Sequence, residues 1–117
     1  MARKKPMPPE VAEIVTERAQ GMCEIMSPDA GCNGRAEQLH HRKLRKQGGE
    51  HTVENLVHIC HHCHNYLHAH PAIAYTNGWL VKSTKNPRDI PVNRRGGFIM
   101  LTPDGELEAA TVEPLDV

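Results

Sequence analysis

The chain has 117 residues, 38% of them hydrophobic, and a formal net charge of zero from 14 bases and 14 acids. That length suits one domain rather than two, and no apolar run approaches the ~20 residues a membrane-spanning helix needs. One Trp, one Phe and two Tyr make a thin core, of the kind that a disulfide or a metal often staples.

Residues 1–8 read as a basic, proline-rich flexible arm without the apolar stretch of a secretory signal. The chain is therefore expected in the cytoplasm, where paired cysteines bind metal more often than they form disulfides. Pro9 suits the first turn of a helix, with Glu10 and Glu13 at its positive end. Val11, Ile14, Val15 and Ala19 share one face, and Gly21 closes the helix, so the spacing predicts a span of 9–20.

An irregular stretch from Cys23 to Gly34 precedes a short strand over 37–42, which ends at His40-His41. Arg42 to Gly49 forms a basic loop that turns at Gly48-Gly49. A second strand over 52–59 directs Val57 and Ile59 to one side and Leu56 and His58 to the other. A helix follows from about His61 to His70 and stops at Pro71. Residues 78–81 and 97–101 look like two further strands, Pro103-Asp104-Gly105 makes a tight turn, and the last dozen residues fray.

The zero net charge conceals a split. Residues 104–117 carry five acids and no base, which leaves 14 bases against nine acids in the preceding 103 residues. A net of +5 on that body suits a polyanionic partner, although an ordinary solvated surface fits the charge as well.

All nine histidines lie between His40 and His70, around the second of two cysteine pairs. Imidazole and thiolate are the donors that borderline-soft cations such as zinc prefer. Cys23 and Cys32 are separated by eight residues and Cys60 and Cys63 by two, so two pairs bracket a hairpin and can converge on one tetrahedral Zn²⁺. Cys60-His61-His62-Cys63-His64 also matches the signature of covalent haem attachment, but that reading leaves Cys23 and Cys32 without a role.

His64 and His68 are four apart on a helix and can chelate a single ion. Adjacent strand residues point to opposite faces, so only one of His40 and His41 can join them, leaving the other to take a proton. His61 shares the face of His64 and His68 and is the one competitor as a ligand.

The cysteine pair, His-His, the glycine-containing loop, Glu54-Asn55-Leu56-Val57 and Cys-x-x-Cys-His-x-x-x-His together resemble the HNH family of endonucleases. The resemblance covers about residues 20–70. It implies an α+β fold: a small ββα-metal (His-Me finger) core pinned by a four-cysteine zinc site, an N-terminal helix, and a short β extension with an acidic tail over 76–117. The whole chain is then a single nuclease domain.

By position, His41 corresponds to the general base. The resemblance implies that His40, His64 and His68 hold the catalytic metal, with His64 part of the catalytic set, and that Asn55 holds the loop that carries the base. The family often has an aspartate where His40 stands. Imidazole there moves preference from Mg²⁺ toward Mn²⁺, Ni²⁺ or Zn²⁺. Arg42, Lys43, Arg45 and Lys46 are expected to clamp the phosphates of double-stranded DNA.

The activity implied is metal-dependent hydrolysis of DNA phosphodiester bonds, leaving 5′-phosphate and 3′-hydroxyl ends. Likeness to phage members adds a terminase large subunit as an expected partner. The alternative is a non-catalytic, zinc-stabilised DNA-binding or assembly adaptor.

Overall fold

The computed structural model describes residues 6–110. Residues 1–5 and 111–117, which include most of the expected basic arm and the second half of the acidic tail, lie outside the described residues. Helix α1 spans Pro9–Ala19, with proline in its first turn and Val15 and Ala19 buried. It ends one residue earlier than expected because Gln20 itself takes the left-handed conformation, at φ 52°, and donates its N–H to the Thr16 carbonyl.

Strands β1 (Gln38–His41) and β2 (Leu56–Ile59) form an antiparallel hairpin with His40 opposite Val57 and His41 opposite Leu56. The first part of the expected second strand, Val53–Asn55, is a 3₁₀ turn instead. The alternation of β2 divides the core in two. Val57 and Ile59 pack with Leu67, Trp79 and the cysteines, whereas Leu56 packs with Val15 and Val53 beneath α1. A strand buried on both faces in this way sits at the centre of the molecule, not at its edge.

Helix α2 spans His61–Ala69, and the Cys60 sulfur caps it by accepting from the Cys63 N–H. Pro71 does not end the helical region. It occupies the first turn of a new helix, α3 (Pro71–Thr76), after a break at His70. The expected strand over 78–81 is not formed. Its residues are buried, but their backbone N–H groups donate to scattered carbonyls and not to a neighbouring strand. Trp79 N–H and Leu80 N–H donate to the Ala74 carbonyl, and Val81 N–H donates to Arg42 O. The apolar run marked burial rather than strand pairing.

The β extension is a three-stranded antiparallel meander of β3 (Val92–Arg94), β4 (Gly97–Leu101) and β5 (Leu107–Ala109). Arg95 and Gly96 both have positive φ, as a two-residue hairpin turn requires. Strand β5 lies in the stretch expected to fray.

One buried ionic knot joins these parts. Glu24, 1% exposed, accepts from Arg18 at 2.8 and 2.9 Å, from Arg94 at 2.9 Å and from the His58 amide at 2.9 Å. Burial alone would raise its carboxyl, but the Arg18 guanidinium, His58 amide and Arg94 hold it below the usual range. Arg94 and Arg95 also donate to the Arg18, Ala19 and Met22 carbonyls at the end of α1, where cations oppose the helix dipole. No helix among the described residues is long and apolar enough to cross a membrane.

Candidate active site

Cys23 follows α1, Cys32 follows the 3₁₀ turn Pro28–Ala30, and Cys60 and Cys63 open α2. None is in a disulfide, and the four sulfurs lie within 4.8 Å of one another. Cys32 and Cys60 have their sulfurs 3.7 Å apart. Four thiolates held tetrahedrally ~2.3 Å from zinc would be about 3.8 Å apart, so the geometry fits.

Backbone amides of Met26 and Cys60 donate to Cys23, that of Gly34 to Cys32, and that of Cys63 to Cys60. Hydrogen bonds from the Cys63 thiol and from backbone amides hold Cys23 down at about 5. Burial pushes Cys32 up to about 11, and donation to Cys23 followed by burial pushes Cys63 upward. Sulfurs packed this tightly resist ionising together unless a cation shares their charge. The cluster can hold a metal such as zinc.

A second cluster joins β1 to α2. One ring nitrogen each of His40, His64 and His68 lies within the same 4.8 Å limit. His64 Nε2 and His68 Nε2 are 3.2 Å apart, and the His40 ring centroid is 5.2 and 5.5 Å from theirs. His40 Nε2 lies 2.8 Å from the Trp79 carbonyl. Donation there leaves Nδ1 with its lone pair, the arrangement by which a carbonyl orients a metal-ligating imidazole.

Burial, helped by His64 and His68, lowers His40 to about 3 against the opposing Trp79 carbonyl. Burial and His68 lower His64. Both rings are neutral near pH 7, as ligands must be. His40 is buried and His68 exposed, so the cluster opens toward solvent on the helix side.

His41 is not part of that group. Strand alternation places it on the opposite side of β1, where its Nε2 meets His51 Nδ1 at 2.9 Å. Burial first, then His51 and Arg45, lower it to about 4. Asn55 anchors the loop that follows. Its Oδ1 accepts from the Lys43 amide at 2.7 Å, and its Nδ2 donates to the Lys43 and Glu50 carbonyls at 3.1 and 2.9 Å. A Cβ at Gly49 would sit 1.7 Å from the Lys43 carbonyl oxygen, so this close loop return requires glycine.

The basic loop differs from expectation at one position. Arg42 is fully buried, and its guanidinium donates to the Gly78, Glu54, Pro87 and Ile90 carbonyls at 2.6–3.2 Å. It is a structural strut and cannot reach a phosphate. Arg45 and Lys46 are exposed, although Arg45 also donates to Gly49 O. His61 stands apart from the His40, His64 and His68 group, engaged by Glu37, which accepts from both its amide and its Nδ1 at 2.9 Å. Sequence reasoning missed Trp79 and His51 as partners of the central histidines. Trp79 contributes a backbone carbonyl, which any residue could supply, so no pattern in the sequence marks it.

Residues 23–70 match the family model described as HNH endonuclease. That match covers 48 of the 117 residues. The matched segment holds both clusters that could bind a metal, together with His41 and Asn55, but not Trp79 or the β extension. The match supports a nuclease-type function in general. The human protein GREB1 is 27% identical over 112 residues, an alignment that covers 86% of this chain and 6% of GREB1. The chain thus spans a small part of that relative. No solved structure matches the chain.

Proposed function

We propose that this protein is a metal-dependent endonuclease that hydrolyses DNA phosphodiester bonds to 5′-phosphate and 3′-hydroxyl ends. The observation that carries the reading is that neutral His40 and His41 stand on opposite sides of one short strand, with only His40 beside His64 and His68. Imidazole donors without a carboxylate favour Mn²⁺, Ni²⁺ or Zn²⁺ over Mg²⁺, while the cysteine site takes structural zinc. When bound, the catalytic ion polarises the scissile phosphate and offsets charge on the departing 3′ oxygen.

The chain supplies the rest. His41, depressed to about 4, is unprotonated near neutral pH and accepts a proton from water. The resulting hydroxide attacks phosphorus in line, the P–O3′ bond breaks, and the 3′ oxygen takes a proton from solvent. Asn55 holds Lys43 and Glu50 in place, which orients the loop leading away from His41. Lys43, Arg45 and Lys46 contact the duplex backbone. The family resemblance extends the proposal to a phage-encoded enzyme that acts beside a terminase large subunit in the host cytoplasm.

The test is nicking of supercoiled plasmid with Mg²⁺, Mn²⁺, Ni²⁺ or Zn²⁺, paired with metal titration. His41→Ala retains the second metal and loses cleavage by about 10²–10⁴-fold. His64→Ala loses metal affinity and cleavage together. DNA binding without nicking under every metal would establish the adaptor alternative, and an active His41→Ala protein would overturn the role of His41.

A further inference from the structure

The cations that face DNA need not come from the His41 loop alone. Segment 82–88, which lies outside the HNH match, carries Lys82, Lys85 and Arg88 with the hydroxyls of Ser83 and Thr84, all exposed. It has no regular strand, yet it is held at several points. Arg42 donates to the Pro87 and Ile90 carbonyls, Lys43 Nζ donates to Lys85 O at 3.2 Å, and Val81 N–H donates to Arg42 O at 2.8 Å. Asn86 Oδ1 accepts from the Arg88 amide at 3.1 Å. The segment is thereby tied to the residues that directly follow His41.

Between the two walls lies a cleft of about 450 Å³. Lys43, Gly48 and Asn55 line one side, and Ser83, Thr84, Lys85 and Arg88 line the other. Two carboxylates also line it. Glu54 is 8% exposed and faces Arg88 at 3.9 Å, and Glu50 lies on the His41-loop side. Three cations therefore face two acids, and one acid is largely withdrawn from solvent.

We infer that this cleft is a second phosphate-binding wall of the nuclease, so that segment 82–88 and the loop after His41 grip the backbone of duplex DNA between them. The inference rests on the proposed nuclease function and adds a contact surface to it. Ammonium, guanidinium and hydroxyl groups on a pre-positioned loop are the usual partners of phosphate oxygens. The lining has no aromatic side chain to stack on unpaired bases, which favours the duplex backbone over single strands. Contacts of this kind position DNA and do not read sequence. Loss of Arg42 from the phosphate-facing set is thereby offset from across the cleft.

The experiment compares wild type with Lys85→Ala/Arg88→Ala and Lys85→Glu/Arg88→Glu. Fluorescence anisotropy of a short labelled DNA duplex is measured without added divalent metal, over a salt series. Zinc content and melting temperature confirm that each variant is folded. The alanine pair should weaken binding for every sequence and lower the slope of log K against log salt by about two. The glutamate pair should bind more weakly still. In nicking assays KM should rise while the rate at saturating DNA stays the same.

Unchanged affinity and salt slope in the folded glutamate variant would overturn the inference. So would tighter binding of wild type to single-stranded DNA or to RNA than to duplex DNA. A wild type that binds duplex with the expected slope changes but never nicks would refute the nuclease reading and leave this surface standing.

Discussion

Replacing Arg42 by alanine separates a strut from a DNA contact. Its guanidinium makes four hydrogen bonds to backbone carbonyls, from 2.6 to 3.2 Å, and the side chain is fully buried. Burial lowers it to about 9, so it remains charged at neutral pH. Hydrogen bonds to a charged donor contribute about 1.5–3 kcal/mol each, but removing the guanidinium also removes its own desolvation cost. Breaking a buried charged network typically costs about 3–5 kcal/mol, which is the expected loss here. For a domain of this length that lowers the melting temperature by roughly 12–20 °C.

The loss should be local in its first effect, because three of the four carbonyls belong to Gly78, Pro87 and Ile90. Hydrogen exchange should therefore show residues 78–90 deprotected before the hairpin, with zinc still bound by the cysteines. Arg42→Lys should fail to rescue stability, since an ammonium has three donors and no planar fork. Calorimetry with hydrogen exchange is the assay. If Arg42→Ala kept the native melting temperature and lost DNA affinity with a flatter salt dependence, the buried-strut account would be refuted.

Two further outcomes are expected. Cys60→Ser should lose one zinc per chain and unfold the hairpin and α2, because thiolate ligation supplies folding free energy. Native circular dichroism and thermal stability in that variant after chelation would contradict the zinc assignment. Acid should destabilise the fold through its histidines. The folded-state pKa of His40 is about 3, below an unfolded value of about 6.5, so its contribution is complete above pH ~6.5 and is lost as pH falls toward 3. The slope is at most about 1.4 kcal/mol per pH unit for this buried ring, and less for half-buried His41 and His64. Melting temperatures that stay flat between about pH 7 and about pH 5 would contradict neutral burial of His40, with zinc retention checked in parallel.

The nuclease segment was legible from residue spacing because its contacts are local or chemically exclusive. Four cysteines and two histidines at helical spacing have few ways to converge, and strand alternation by itself separates His40 from His41. Asn55 was found only through the family resemblance. Its amide bonds to Lys43 and Glu50 exist only because the loop returns to it.

Tertiary structure alone decided which charges face solvent. In sequence Arg42 is one base in a run of bases, yet it is buried, while Arg45 and Lys46 beside it are exposed. Glu24, Arg18 and Arg94 form an ion cluster across 76 residues of chain, with no periodicity to reveal it. Gly78–Val81 has the composition of a strand but pairs with none, and the Gly78 and Trp79 carbonyls are taken by the Arg42 and His40 side chains. Composition reports that a segment is buried. Which neighbour satisfies its backbone depends on elements distant in sequence, and only the folded chain brings those together.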